Sequence, residues 1–191
     1  MVFDTQTINK QRQNLSDFDD IWVFGYGSLI YKVDFDYLES QTAHIFGYER
    51  RFWQGSHDHR GTPENPGRVL TLSSVKSARC FGRAFRVEHS VFDHLDHREK
   101  NGYLREQIPI HLTDGRNVAG LVYIASPDNA AYLGDASVED IDKHIFRSEG
   151  PSGPNRDYVY QLADALRVHN EADEHVFEIE QAIKSLSQHS T

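Results

Sequence analysis

From Ile21 to about Ile124 the hydrophobic positions fall in short runs, rich in β-branched and aromatic residues and broken by Gly, Pro and Asp. They are "IWVFGYG", "HIFGYERRFW", "RVLTL", "RCFGRAFRV", "QIPIHL" and "NVAGLVYIA". Runs of this length and composition predict strands. One helix, Ser90 to Glu99, interrupts them. Beyond Pro127 the spacing turns helical. Ser137 precedes an acidic first turn in "SVEDIDKHIF", Val159, Leu162, Ala163 and Leu166 recur at i, i+3, i+4 and i+7, and Val176, Ile179, Ile183 and Leu186 form a last amphipathic face. Strands first and helices afterwards predict an α+β fold, a small, mostly antiparallel β-barrel or strongly curved sheet with flanking helices. Residues 1–19 are polar and without period, which predicts an N-terminal arm ahead of a single domain over 20–191.

Composition narrows the function. A chain of 191 residues buries about two-thirds of its unfolded surface, so one core suffices. A net charge of −9 argues against sequence-independent binding of nucleic acid, which needs clustered Lys and Arg. No apolar run approaches the length of a signal core or a membrane span, so the expectation is a cytoplasmic protein without a membrane partner. The single cysteine, Cys80, sits in an alternating run and reads as a buried strand thiol rather than a nucleophile.

The stretch "VFGYGSLI" brings two glycines to the end of the first strand. A dinucleotide fingerprint would need a small residue where Ile30 stands, and a phosphate loop would need a Lys followed by Ser or Thr; neither is present. Two readings remain. Gly25 to Leu29 form either a bulged strand end or a loop whose N–H groups face an anionic or developing anionic oxygen.

Three other stretches carry candidate chemistry. "HLDHREKNGY" holds Asp96 and Glu99 on a helix ending in a Lys-Asn-Gly turn. It reads either as a solvated face or as one that turns a carboxylate into a pocket, where desolvation raises its pKa toward neutrality. "RRFWQGSHDHRGTPENPGRVLTL" offers His57-Asp58-His59, whose spacing lacks the support of a recognised metal motif, and Arg68, a cation where an acidic chain would hold an anion. "GPSGPNRDYVYQL" makes a stiff turn before a helix that Asn155 is placed to cap.

Together, "VFGYGSLIY", "RRFWQGSHDHRGTPENPGRVLTL", "HREKNGY" and "GPSGPNRDYVYQLADALR" resemble the ChaC-like family, the glutathione-specific gamma-glutamylcyclotransferases, over Ile21 to Leu186. The resemblance implies a gamma-glutamylcyclotransferase fold, with reduced glutathione as small-molecule substrate. The implied reaction is attack of the glutamyl α-amine on its own γ-carbonyl, releasing 5-oxoproline and Cys-Gly. It implies Glu99 as acid/base, the loop around Tyr26-Gly27-Ser28-Leu29 as substrate cradle, with Gly25, and Tyr158 near the substrate. No metal and no organic cofactor is required by this scheme. The alternatives are a cyclotransferase for other γ-glutamyl amines or dipeptides, and a non-catalytic binder of a small acidic metabolite.

Overall fold

The structure is a computed structural model that describes residues 4–189. In chain order it comprises helix α1 (Gln6–Arg12), strands β1 (Ile21–Gly25), β2 (Glu39–Ser56) and β3 (Gly67–Val87), helix α2 (Val91–Arg98), strands β4 (Tyr103–Leu112) and β5 (Asn117–Ala125), and helix α3 (Val138–Arg147). A two-residue hairpin of β6 (Glu149–Gly150) and β7 (Gly153–Pro154) leads into helices α4 (Asn155–Val168) and α5 (Glu174–His189). Strands β1, β3, β2, β4 and β5 close, in that order, into a barrel. All the pairings described are antiparallel except β1 with β5, where Trp22, Val23 and Phe24 run parallel to Gly120, Leu121 and Val122. The α+β barrel read from the sequence is the architecture observed. None of the described helices is long and apolar enough to cross a membrane.

The described residues divide into two compact units. The first takes those up to Glu49 together with Leu72–Ala130. Its core comprises Ile21, Val23, Phe85, Val87, Leu121 and Tyr123 from the barrel, Phe92 and Leu95 from α2, and Leu29 from the glycine loop. A loop residue in that core fixes where the loop can go. The second unit takes Arg50–Thr71 together with the residues from Ala131 on. There Ile141 and Ile145 of α3, Val159, Leu162, Ala163 and Leu166 of α4, and Val176, Ile179 and Ile183 of α5 are all buried, as their helical spacing predicts.

Three local outcomes differ from the sequence reading. "RVLTL" and "RCFGRAFRV" belong to one strand, because the polar stretch between them continues β3 with its residues facing outward. The segment expected as an arm contains α1, with Thr5 and Asn9 fully buried. Asn155 is the first residue of α4 rather than its cap: its Oδ1 accepts the Arg68 N–H at 2.7 Å and its Nδ2 donates to the Arg68 carbonyl at 2.9 Å. A buried amide that serves two backbone groups of a strand is not free to cap. Ser137, by contrast, caps α3 as expected, accepting from the Asp140 N–H at 3.1 Å.

Candidate active site

Strand β1 ends at Gly25 and the chain turns through Tyr26 and Gly27 into a single 3-10 turn, Ser28–Ile30. The turn is closed by the Ile30 N–H donating to the Gly27 carbonyl at 3.0 Å, so the N–H groups of Ser28 and Leu29 precede its first internal bond. Gly25 is required sterically: a Cβ there would lie 2.4 Å from Leu29 Cβ. Side chains anchor the turn below. Tyr26 donates its hydroxyl to the Tyr123 carbonyl of β5 at 2.7 Å, and Leu29 is buried in the core. The aromatic ring and Leu29 thus set the height of the loop, with Gly27 and Ser28 its half-buried residues.

Glu99 is the C-cap residue of α2, its N–H donating to the Leu95 carbonyl at 2.9 Å. Its carboxylate pairs with Arg98 Nε at 3.1 Å and its side chain is about one-fifth exposed, at 20%. Arg98 joins the two motifs. Its Nη2 donates to Ser28 Oγ at 2.7 Å and its Nη1 to Asp34 Oδ1 at 2.6 Å, while Nε faces Glu99. Asp34 is further held by His94 at 3.3 Å, and although partial burial acts to raise it, Arg98 and the His94 contact keep its carboxyl below the usual carboxylate range.

Behind Glu99 lies a buried polar group that sequence reading did not assemble. Tyr123 donates its hydroxyl to Asp96 Oδ1 at 2.7 Å, and Arg105 Nε lies 3.6 Å from the same oxygen. Asp96 and Arg105 are almost fully buried, at 2% and 1% exposure. Desolvation pushes the Asp96 carboxyl up, opposed by the Tyr123 bond and by Arg105. Desolvation and the charges of Asp96 and Glu99 push the Tyr123 phenol far up, so it remains a donor. The desolvated carboxyl of "HLDHREKNGY" is therefore Asp96, one turn from Glu99. Tyr123 anchors the loop through its carbonyl and Asp96 through its hydroxyl.

Arg68 and Tyr158 belong to the second unit. Arg68 is buried, and its Nη1 donates to the carbonyls of Phe52 and Gly134, both at 2.9 Å. Burial lowers its proton affinity, with Asp135 and Asp140 acting in the opposite sense. The sequence expects Arg68 to hold an anion, and here its Nη1 serves carbonyls of its own unit. Tyr158 is buried on α4, with its ring edge-on to Phe52 at 6.2 Å and Arg60 over its face at 6.0 Å. His59 Nδ1 lies 3.4 Å from Ser152 Oγ, and no three of His, Cys, Asp and Glu converge as metal ligands among the described residues. Cys80 is buried in β3, as expected.

Arg98, Asp34 and Tyr123 are the site residues that sequence reading missed. Arg98 had a signal, since a cation next to a candidate carboxylate in "HREKNGY" invites the question of what it holds. Asp34 and Tyr123 had none, because the fold alone brings them in.

Fold and site define the class first: a closed five-stranded barrel whose glycine loop and helix-end carboxylate share one arginine. The comparisons give the family. ChaC-like proteins match residues 21–186, and the chain belongs to that family. It is 43% identical over 178 residues to gamma-glutamylcyclotransferase 2-3 of Arabidopsis thaliana, covering 87% of this chain and 89% of that one. It is likewise 43% identical over 173 residues to glutathione-specific gamma-glutamylcyclotransferase 1 of Danio rerio, covering 85% and 88%. A crystal structure of the glutathione-specific gamma-glutamyl cyclotransferase from yeast matches with a TM-score of 0.80 at 30% identity, over 87% of this chain and 96% of that one.

Proposed function

We propose that this chain is a gamma-glutamylcyclotransferase that degrades glutathione, with Glu99 as its acid/base and the Gly25–Leu29 loop as its substrate cradle. The observation that carries the reading is Arg98, which binds Ser28 of the loop and Glu99 with one guanidinium. Relatives of 43% identity named for this reaction support it.

The chemistry needs little beyond what these residues offer. Ring closure is intramolecular, so folding the glutamyl chain into attack geometry is itself worth effective molarities of about 10⁵ M or more. The α-nitrogen forms a bond to the γ-carbonyl carbon, and the amide bond from that carbon to the cysteine nitrogen breaks. The α-ammonium loses one proton to solvent before attack, and Glu99 takes the second from the nitrogen as the ring forms and gives it to the departing amine of Cys-Gly. Loop N–H groups hold either the substrate's carboxylate or the oxygen that becomes anionic at the tetrahedral stage. In the second case each donor contributes about 3 kcal/mol to lowering the barrier.

The test is incubation with glutathione, with 5-oxoproline and Cys-Gly measured, beside γ-glutamyl-alanine. Glu99→Gln is expected to fold normally and lose at least about 10²-fold in kcat. Near-normal turnover by a folded Glu99→Gln protein overturns the assignment, and equal turnover of γ-glutamyl-alanine transfers the reading to a broader cyclotransferase.

A further inference from the structure

Helix α2 ends at the proposed base, and a helix end leaves carbonyls that need partners from elsewhere. Past its end the Glu99 carbonyl accepts the Tyr103 N–H at 3.3 Å and the Lys100 carbonyl the Gly102 N–H at 3.0 Å, and further donors come from the N-terminal segment, which lies ahead of the family-matched region that begins at residue 21. Thr5 donates its hydroxyl to the Lys100 carbonyl at 3.0 Å, with the Glu99 carbonyl at 3.4 Å, and its N–H also donates to the Lys100 carbonyl at 2.8 Å. A threonine at a helix start normally turns its oxygen to the helix's own N–H groups. Thr5 makes no such bond. Asp4 Oδ1 instead accepts the Gln6 N–H at 2.9 Å.

Asn9 holds the other flank of the same turn. Its Nδ2 donates to the Tyr103 carbonyl at 3.0 Å, and its Oδ1 accepts the Arg105 N–H at 2.9 Å, as a neighbouring strand would. Its own carbonyl accepts from Arg105 Nη2, the side chain that faces Asp96. Arg12 Nε and Gln13 Nε2 both donate to the Arg105 carbonyl, at 2.8 and 3.0 Å. Thr5 and Asn9 are 0% exposed, so their bonds to the turn are made away from water and removing one weakens the grip on it. The Glu99–Tyr103 turn is thus gripped on both sides.

We propose that Thr5 and Asn9 are positioning residues for Glu99, and that the N-terminal segment is a brace setting where the carboxylate stands relative to the glycine loop. This rests on the reading of Glu99 as the acid/base. Small displacements of a catalytic group cost more in turnover than in substrate binding when binding is carried by other residues. None of the bonds just described is made to the loop itself, so the brace is expected to act on kcat.

The experiment compares wild type with Thr5→Val, Thr5→Ser and Asn9→Leu in the full chain. It records kcat and KM for 5-oxoproline release from glutathione, and amide hydrogen exchange across residues 96–105. Thr5→Val keeps the shape and removes the donor. Its expected result is a fall of about tenfold in kcat with KM within about twofold, together with faster exchange at the 99–103 turn. Thr5→Ser restores both. Unchanged kcat and exchange in a folded Thr5→Val protein overturn the brace, as does a loss confined to KM. If wild type releases no 5-oxoproline from glutathione, the functional reading fails, and the grip on the turn is then judged on exchange alone. If Asn9→Leu does not fold, the Thr5 pair decides.

Discussion

Arg98 presents three separate N–H directions, and Ser28, Asp34 and Glu99 each take one. A lysine would keep the charge but lose the planar fork, so it could not satisfy three acceptors spread around it. Arg98→Lys is therefore expected to lower kcat/KM for glutathione by about tenfold or more, while the melting temperature barely moves because Arg98 is partly exposed. Steady-state kinetics and a melting curve check this, and full activity in the lysine variant would mean that charge alone suffices. At this scale the sequence offers candidates where chemistry is contiguous: the Gly25–Leu29 loop and the pair Asp96 and Glu99 each stand out within a single stretch, and the resemblance chooses Glu99. Arg68 stands in the sequence only as a lone cation in an acidic chain, which suggests an anion. Only the fold shows that its Nη1 meets the carbonyls of Phe52 and Gly134.

Among elements, the helices after Pro127 could be read because their buried residues are apolar and keep a 3.6-residue period. Helix α1 could not be read for the converse reason. The residues it buries with its cap are Thr5 and Asn9, and a search for apolar periodicity is blind to polar groups that dock by hydrogen bonds. Strand β3 shows a third case, since its exposed middle carries too few apolar residues to mark a strand. Where β3 meets β1, spacing between elements sets the loop. Gly82 lies beside Gly25, and a Cβ on it would stand 2.4 Å from the Gly25 carbonyl oxygen and 2.5 Å from Phe24 Cζ. Backbone cannot yield as a flexible side chain does. Gly82→Ala should force β1 away from β3, destabilising the protein by about 1–3 kcal/mol and displacing the loop that follows Gly25. Denaturant unfolding gives the first quantity and kcat/KM for glutathione the second. A variant with wild-type values in both would show that the strands can separate without cost.

Over the whole molecule, a net charge of −9 invites the expectation that carboxylates govern its response to acid, yet a histidine acts first as pH falls below neutrality. His175 is half-buried at the start of α5, where its Nε2 accepts the Phe52 N–H at 3.2 Å. Desolvation and the neighbouring Arg51 push its pKa down to about 4 from 6.5, with Asp173 and Asp135 acting in the opposite sense. The folded protein thus keeps His175 neutral at a pH where the unfolded chain binds a proton. Stability tied to this group is complete above pH 6.5 and is lost as pH falls toward 4. At 1.36 kcal/mol for each pH unit, the loss over that window is about 3 kcal/mol. Asp96 runs the other way: its folded pKa is raised, so its charge costs stability above the ordinary carboxylate range and that cost is relieved as it protonates. Of the two groups, only His175 lowers stability as pH falls between 7.5 and 5, because protonating Asp96 relieves a cost. The melting temperature should drop by several degrees across that range. In His175→Gln, whose amide oxygen can still accept the Phe52 N–H, most of that drop should vanish. A drop of equal size in wild type and variant would locate the acid sensitivity in the carboxylates after all.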